Sequence, residues 1–134
     1  MSLTYTVAVR NARAQALTNL IDASATAGSI TIYTGTAPDG VGAITSQVEL
    51  ITIPLQKPCY SSITSGVITL AAITEQMLLQ TGQAGWARIK NGDGLAIADM
   101  TVGVNGSGAD IELPTVDLIQ GAYIRITAGQ ITEG

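Results

Sequence analysis

The sequence predicts a mainly β protein: an N-terminal α-helix followed by an antiparallel β-sandwich of about eight strands, with a jelly-roll arrangement as one variant. Three observations carry this expectation. Apolar residues recur at three- and four-residue steps over residues 5–23, whereas from residue 29 onward the period is two. Sixteen Ile and seventeen Thr, with no Phe, supply branched side chains that lie well on a pleated surface. Clusters of Gly, Pro, Asn and Asp break the alternating stretches into strand-length pieces. At 134 residues the chain fits a single domain, 1–134, with the helix at about 5–23 and the sandwich at about 29–132. A chain of this length buries roughly two-thirds of its unfolded surface and needs no staples.

In the helical segment Tyr5, Val9, Ala12, Ala16, Leu20 and Ala23 form one apolar stripe, with Asn11, Gln15, Thr18 and Asp22 opposite. Thr4 is the expected cap and Gly28 the stop. Leu17 and Ile21 widen the apolar arc, and Arg10 and Arg13 sit on that same flank. Two readings fit these arginines: stems laid along the body with wet heads, or docking to a neighbouring subunit.

Strands are expected at 29–34, with Ile30 and Ile32 inward, at 48–53, at 66–73 and at 109–113, with a last long strand at 122–127. Pro54 and Pro58 interrupt the ladder and mark an edge or a crossing between sheets. The last strand puts Ile124 and Ile126 on one face and Tyr123, Arg125 and Thr127 on the other, and Ile131 extends it. Residues 74–82 carry Met77, Leu78 and Leu79 between polar flanks, which fits either a helical turn tucked over the core or an exposed adhesive loop.

The stretch 84–102 reads as the organising β-hairpin. Trp86, Arg88 and Lys90 share one face and Ala87 and Ile89 the other, while Asn91-Gly92-Asp93-Gly94 supplies the turn, with Gly92 expected at positive φ. Trp86 is the only tryptophan and the expected anchor of local packing.

Charged residues make up only 12% of the chain, against roughly 25% in ordinary domains. Six Lys and Arg against ten Asp and Glu give a net charge of −4 with no basic run, so nucleic acid is not an expected partner. Nor is a membrane, since no apolar stretch approaches a span. A weakly charged exterior suits a subunit that meets its own copies, a homo-oligomer of dimer or trimer type.

The absence of histidine removes the commonest base and metal ligand. The lone Cys59 reads as a small buried hydrophobe. Asp93, Asp99, Asp110 and Glu112 read as turn-forming and solvated residues rather than a calcium loop. The glycine-rich 103–108 stretch lacks the lysine of a phosphate loop and reads as a turn. No enzyme, cofactor or metal site is expected.

Several stretches together resemble small virion proteins of tailed bacteriophages. They are Arg10-Asn11-Ala12 and Leu17-Thr18-Asn19-Leu20-Ile21-Asp22-Ala23 leading into Ile30-Thr31-Ile32-Tyr33-Thr34-Gly35-Thr36-Ala37-Pro38, then Gly66-Val67-Ile68-Thr69-Leu70 and Gly85-Trp86-Ala87-Arg88-Ile89. Gly106-Ser107-Gly108-Ala109-Asp110-Ile111-Glu112-Leu113 and Gly121-Ala122-Tyr123-Ile124-Arg125-Ile126-Thr127 complete the set. The resemblance implies a non-enzymatic decoration or cement protein, or a head-fibre base, assembled in the host cytoplasm and sited on the capsid exterior. Its partner would be the major capsid protein or another virion protein. The chain departs from the pattern at 75–80, where Met77-Leu78-Leu79 replaces small polar residues. The interface candidates are therefore Arg10, Arg13, Met77, Leu78 and Leu79. The competing reading is a carbohydrate- or receptor-binding module of a head fibre or tail, which needs aromatic platforms, with Tyr33, Tyr60 and Tyr123 the candidates.

Overall fold

The computed structural model describes residues 6–132. One helix, α1 (Val7–Ile21), precedes β1 (Ser29–Tyr33), β2 (Glu49–Pro54), β3 (Tyr60–Thr64), β4 (Val67–Leu70), β5 (Gln76–Met77), β6 (Gly82–Gln83), β7 (Trp86–Lys90), β8 (Ala96–Val104), β9 (Ile111–Leu113), β10 (Asp117–Leu118), β11 (Tyr123–Ile124) and β12 (Ala128–Thr132). Eight strands form one sheet in the order β2-β1-β7-β8-β9-β12-β4-β3, and the other four pair as β10 with β6 and β11 with β5.

That order dictates a curled sheet. β2 and β3 hold its two edges, yet only residues 55–59 separate them in the chain. Eight flat strands would set those edges about 34 Å apart at the usual spacing, while the linker reaches about 20 Å. The halves therefore fold over one another around one core, which gives the expected mainly β, sandwich-like body. Ile30, Ile32 and Ile89 from one half meet Ile68, Ile111 and Leu113 from the other, all fully buried.

Pairing is antiparallel except for β8 with β9, whose register is Val102↔Ile111, Gly103↔Glu112 and Val104↔Leu113. Parallel neighbours ordinarily need a crossover of a dozen residues. Here residues 105–110 suffice, because Gly106 and Gly108 both adopt φ of 83° and the Glu112 carboxylate accepts both their N–H groups at 3.2 and 3.0 Å. The glycine-rich stretch is thus a turn, as expected. A jelly roll's two separate four-stranded sheets are absent among the described residues.

β1 matches its expected position, with Ile30 and Ile32 inward, and lies between β2 and β7. Pro54 ends β2 and Pro58 precedes β3, so the prolines do mark sheet edges. β3 itself has no counterpart among the expected strands. It forms because Ser65 and Gly66 turn the chain at φ of 51° and 77°, folding it onto β4. The last long strand lies at β12 rather than at 122–127, and β11 keeps only two residues of ladder. The alternation nevertheless holds: Ile124 is buried, whereas Tyr123, Arg125 and Thr127 are exposed.

The helix presents the opposite face from the one its apolar stripe predicts. Ala14, Thr18 and Ile21 are buried, while Val9, Ala12, Ala16, Leu20 and Ala23 face outward. Polar residues on the inner side each meet a partner. The Gly66 N–H donates to Asn11 Oδ1 at 2.8 Å, the Thr18 hydroxyl donates to the Gln15 carbonyl at 2.9 Å, and the Cys59 N–H donates to the Asp22 carboxylate at 3.1 and 3.2 Å. Satisfied polar groups cost little to bury, and the outward alanines forgo little apolar area. Thr6 is the N-cap, its hydroxyl accepting the Val9 N–H at 3.3 Å. The expected cap Thr4 and the stripe residue Tyr5 lie outside the described residues.

Candidate interaction surfaces

The central hairpin forms as its sequence requires. β7 pairs with β1 on one side and β8 on the other, with Arg88 opposite Asp99. In the turn, Asn91 Oδ1 accepts the N–H groups of Asp93 and Leu95, each at 3.0 Å. The left-handed residue is Gly94, at φ of 84°, and not Gly92. Gly92 is required for space instead, since a Cβ there would overlap the Thr26 carbonyl.

On the hairpin's outer face the Tyr33 and Trp86 rings stack at 4.6 Å, and the Arg88 guanidinium lies 5.2 Å over Trp86. Arg88 Nε and Nη2 donate to the two Asp99 oxygens at 2.7 and 3.1 Å, and Nη2 also donates to the Gly42 carbonyl at 2.9 Å. Hydrogen bonding to Asp99 raises the Arg88 pKa above its ordinary value. Trp86 Nε1 donates to the Thr34 carbonyl at 3.1 Å. The loop following β1 therefore closes over this face, and Tyr33, Trp86 and Arg88 are all buried. Of the aromatic platforms considered, Tyr33 is spent on packing, Tyr60 is half-buried, and Tyr123 is open.

The carboxylates are engaged in the same way. The Thr101 N–H donates to Asp110 at 3.1 Å and the Ser24 hydroxyl donates to Asp93 at 2.9 Å. A cleft of about 340 Å³ beside Trp86, lined by Ala37, Asp99, Thr101 and Asp110, thus has its acids already bonded within the fold. Cys59 is fully buried, and burial, reinforced by the Asp22 charge, pushes its thiol up to about 12. It is the small core residue its sequence suggests.

Residues 74–82 are neither a helical turn nor a loose loop. Segment 76–83 lies antiparallel along segment 117–124: Gln76 faces Ile124, Met77 faces Tyr123, Gly82 faces Leu118 and Gln83 faces Asp117. Bonds from the Leu78 N–H to the Ala122 carbonyl at 2.7 Å and from the Gly121 N–H to the Leu78 carbonyl at 2.9 Å hold the middle. The ribbon alternates, so Leu78, Leu118 and Ile124 are buried beneath it while Met77, Leu79, Ile119 and Tyr123 are 49%, 66%, 63% and 67% exposed. The cluster Met77-Leu78-Leu79 is thereby divided, with one residue in the core and two outside.

The predicted interface residues thus fall in two places. Met77 and Leu79 stand on the ribbon's outer face, joined there by Ile119 and Tyr123, which sequence reasoning does not single out for this role. Arg10 and Arg13 are on α1, Arg10 half-buried on its flank and Arg13 exposed near Val9, Ala16 and Leu20. No helix among the described residues is long and apolar enough to cross a membrane. Comparisons with protein families, with curated proteins and with solved structures find no match.

Proposed function

We propose that this chain is a non-enzymatic structural protein of a bacteriophage virion, one that decorates or cements the capsid by binding the shell and its own copies. The observation that carries the reading is that the fold leaves two distinct apolar surfaces uncovered: the outer face of the 76–83/117–124 ribbon and the outward stripe of α1, where Leu20 is 57% exposed. Large exposed apolar residues gathered on defined faces mark contact surfaces. A cement protein needs one such surface for its neighbours and one for the shell. The resemblance to phage virion proteins and the low surface charge support the same reading. The burial of Tyr33 and the partial burial of Tyr60 count against a glycan-binding module, which stacks sugars on open rings.

The test is co-sedimentation of the purified protein with capsids of the cognate shell protein. Saturable binding is expected, with Leu20→Glu weakening it while the melting temperature stays put, because surface exchanges of this kind alter stability by about 0.5 kcal/mol or less. Absence of binding to intact capsids would refute the proposal.

A further inference from the structure

We infer that the ribbon's outer face is a two-fold contact in which a second copy of this chain lies antiparallel on the first, an inference that rests on reading the ribbon as an interaction surface. The charges at its two ends point to that occupant. Along segment 117–125 the exposed residues include Asp117 and Ile119 at one end and Tyr123 and Arg125 at the other, with Gln120, Gly121 and Ala122 in the turn between, so an acid closes one end and a base the other. Between those charges stand Met77, Leu79, Ile119 and Tyr123. Asp117 and Arg125 stand at opposite ends of the paired segment, and among the described residues no ion pair joins them within a chain.

A surface that meets its own copy about a two-fold axis must be self-complementary. Two such ribbons laid antiparallel place Arg125 of one copy at Asp117 of its partner, and the same pair recurs on the other side of the axis. Tyr123 and Met77 of each copy then cover Ile119 of the other, so apolar meets apolar. A parallel arrangement would set acid on acid and base on base, and like charges across a contact are disfavoured. The pattern therefore selects a dimer with one orientation.

Sedimentation equilibrium on the isolated protein tests this with Asp117→Arg and Arg125→Asp. Wild type is expected to dimerise, and each variant alone to raise the dissociation constant about tenfold or more, since both end contacts become repulsive. Mixing the two variants is expected to restore dimerisation, because one variant then carries a base at both ends of its ribbon and the other an acid at both, so each end contact of the mixed dimer again pairs opposite charges. Circular dichroism of each variant controls for folding. A wild type that stays monomeric at high concentration would overturn the inference, as would single variants that dimerise normally or a mixture that fails to recover. A dimer that forms as described but ignores capsids would refute the capsid proposal alone, and a capsid-binding monomer would refute the two-fold contact alone.

Discussion

Replacing Arg88 by Met keeps the length of the stem and removes the charge, and the structure gives the cost. The guanidinium donates two bonds to Asp99 and one to the Gly42 carbonyl, and it covers the Trp86 ring. Without it, Asp99 remains as a carboxylate whose side chain is 14% exposed and has lost its cation. Breaking a buried pair on one side costs about 3–5 kcal/mol, and the slight access of water to Asp99 places this case near 3. That is a large share of a total stability of about 5–15 kcal/mol. Asp99→Leu alone strands Arg88 and costs a similar amount. The double variant Arg88→Met with Asp99→Leu leaves no uncompensated charge and is expected to lose about 1 kcal/mol, which is the cost of the missing Gly42 bond. Urea denaturation of all four proteins measures the cycle, with an expected coupling of several kcal/mol in favour of the pair. A loss below about 1 kcal/mol for Arg88→Met, or single effects that simply add, would refute the argument that this pair holds the loop over the hairpin.

Gly92→Val is expected to cost about 2–3 kcal/mol by collision with Thr26, whereas Gly94→Ala, in open space at φ of 84°, costs about 1 kcal/mol through backbone strain alone; thermal melts rank the two. Val41 is a β-branched residue at φ of 56°, so Val41→Gly is expected to raise stability by about 1 kcal/mol in urea titrations despite glycine's entropy. Leu78→Ala removes a side chain that is 2% exposed and is expected to cost about 2–5 kcal/mol, while Leu79→Ser leaves the subunit's stability within about 0.5 kcal/mol and weakens its self-association. The Cys59 thiol ionises near its ordinary 9.0 in the unfolded chain and only near about 12 in the fold, so the unfolded state releases its proton first and stability falls between those values as pH rises. The loss from this group is about 1.4 kcal/mol per pH unit, and the fall of unfolding free energy above about pH 9 is expected to be shallower in Cys59→Ala than in wild type.

Much of the β body is legible in sequence because its signals are local. The alternation of Ala87 and Ile89 against Trp86, Arg88 and Lys90, and the turn residues after them, specify the hairpin without reference to distant chain. Ile30 and Ile32 mark a buried strand in the same way. The helix face is misleading because a stripe rich in alanine counts as apolar while offering little area, whereas Asn11 and Asp22 find their partners on Gly66 and Cys59, far away in sequence. The ribbon is illegible for a related reason. Three consecutive apolar residues carry no period, and only the pairing of Met77 with Tyr123 reveals which of them point outward. A turn motif marks Gly92 as essential, but the need it meets is the closeness of Thr26.

β12 joins β9 to β4 in the sheet, and of these three strands it is the last to leave the ribosome. About 60 residues separate the end of β4 from its start, which at ordinary translation speeds is about 3–12 s during which β4 lacks this neighbour. Closure of this part of the sheet therefore waits for β12, and the half-made sheet must pass that interval with open ladders while identical chains are being made alongside. Strand exchange between nascent copies competes most strongly in that window, so the yield of correctly closed subunits is expected to depend on synthesis rate and temperature more than the finished fold's stability would suggest.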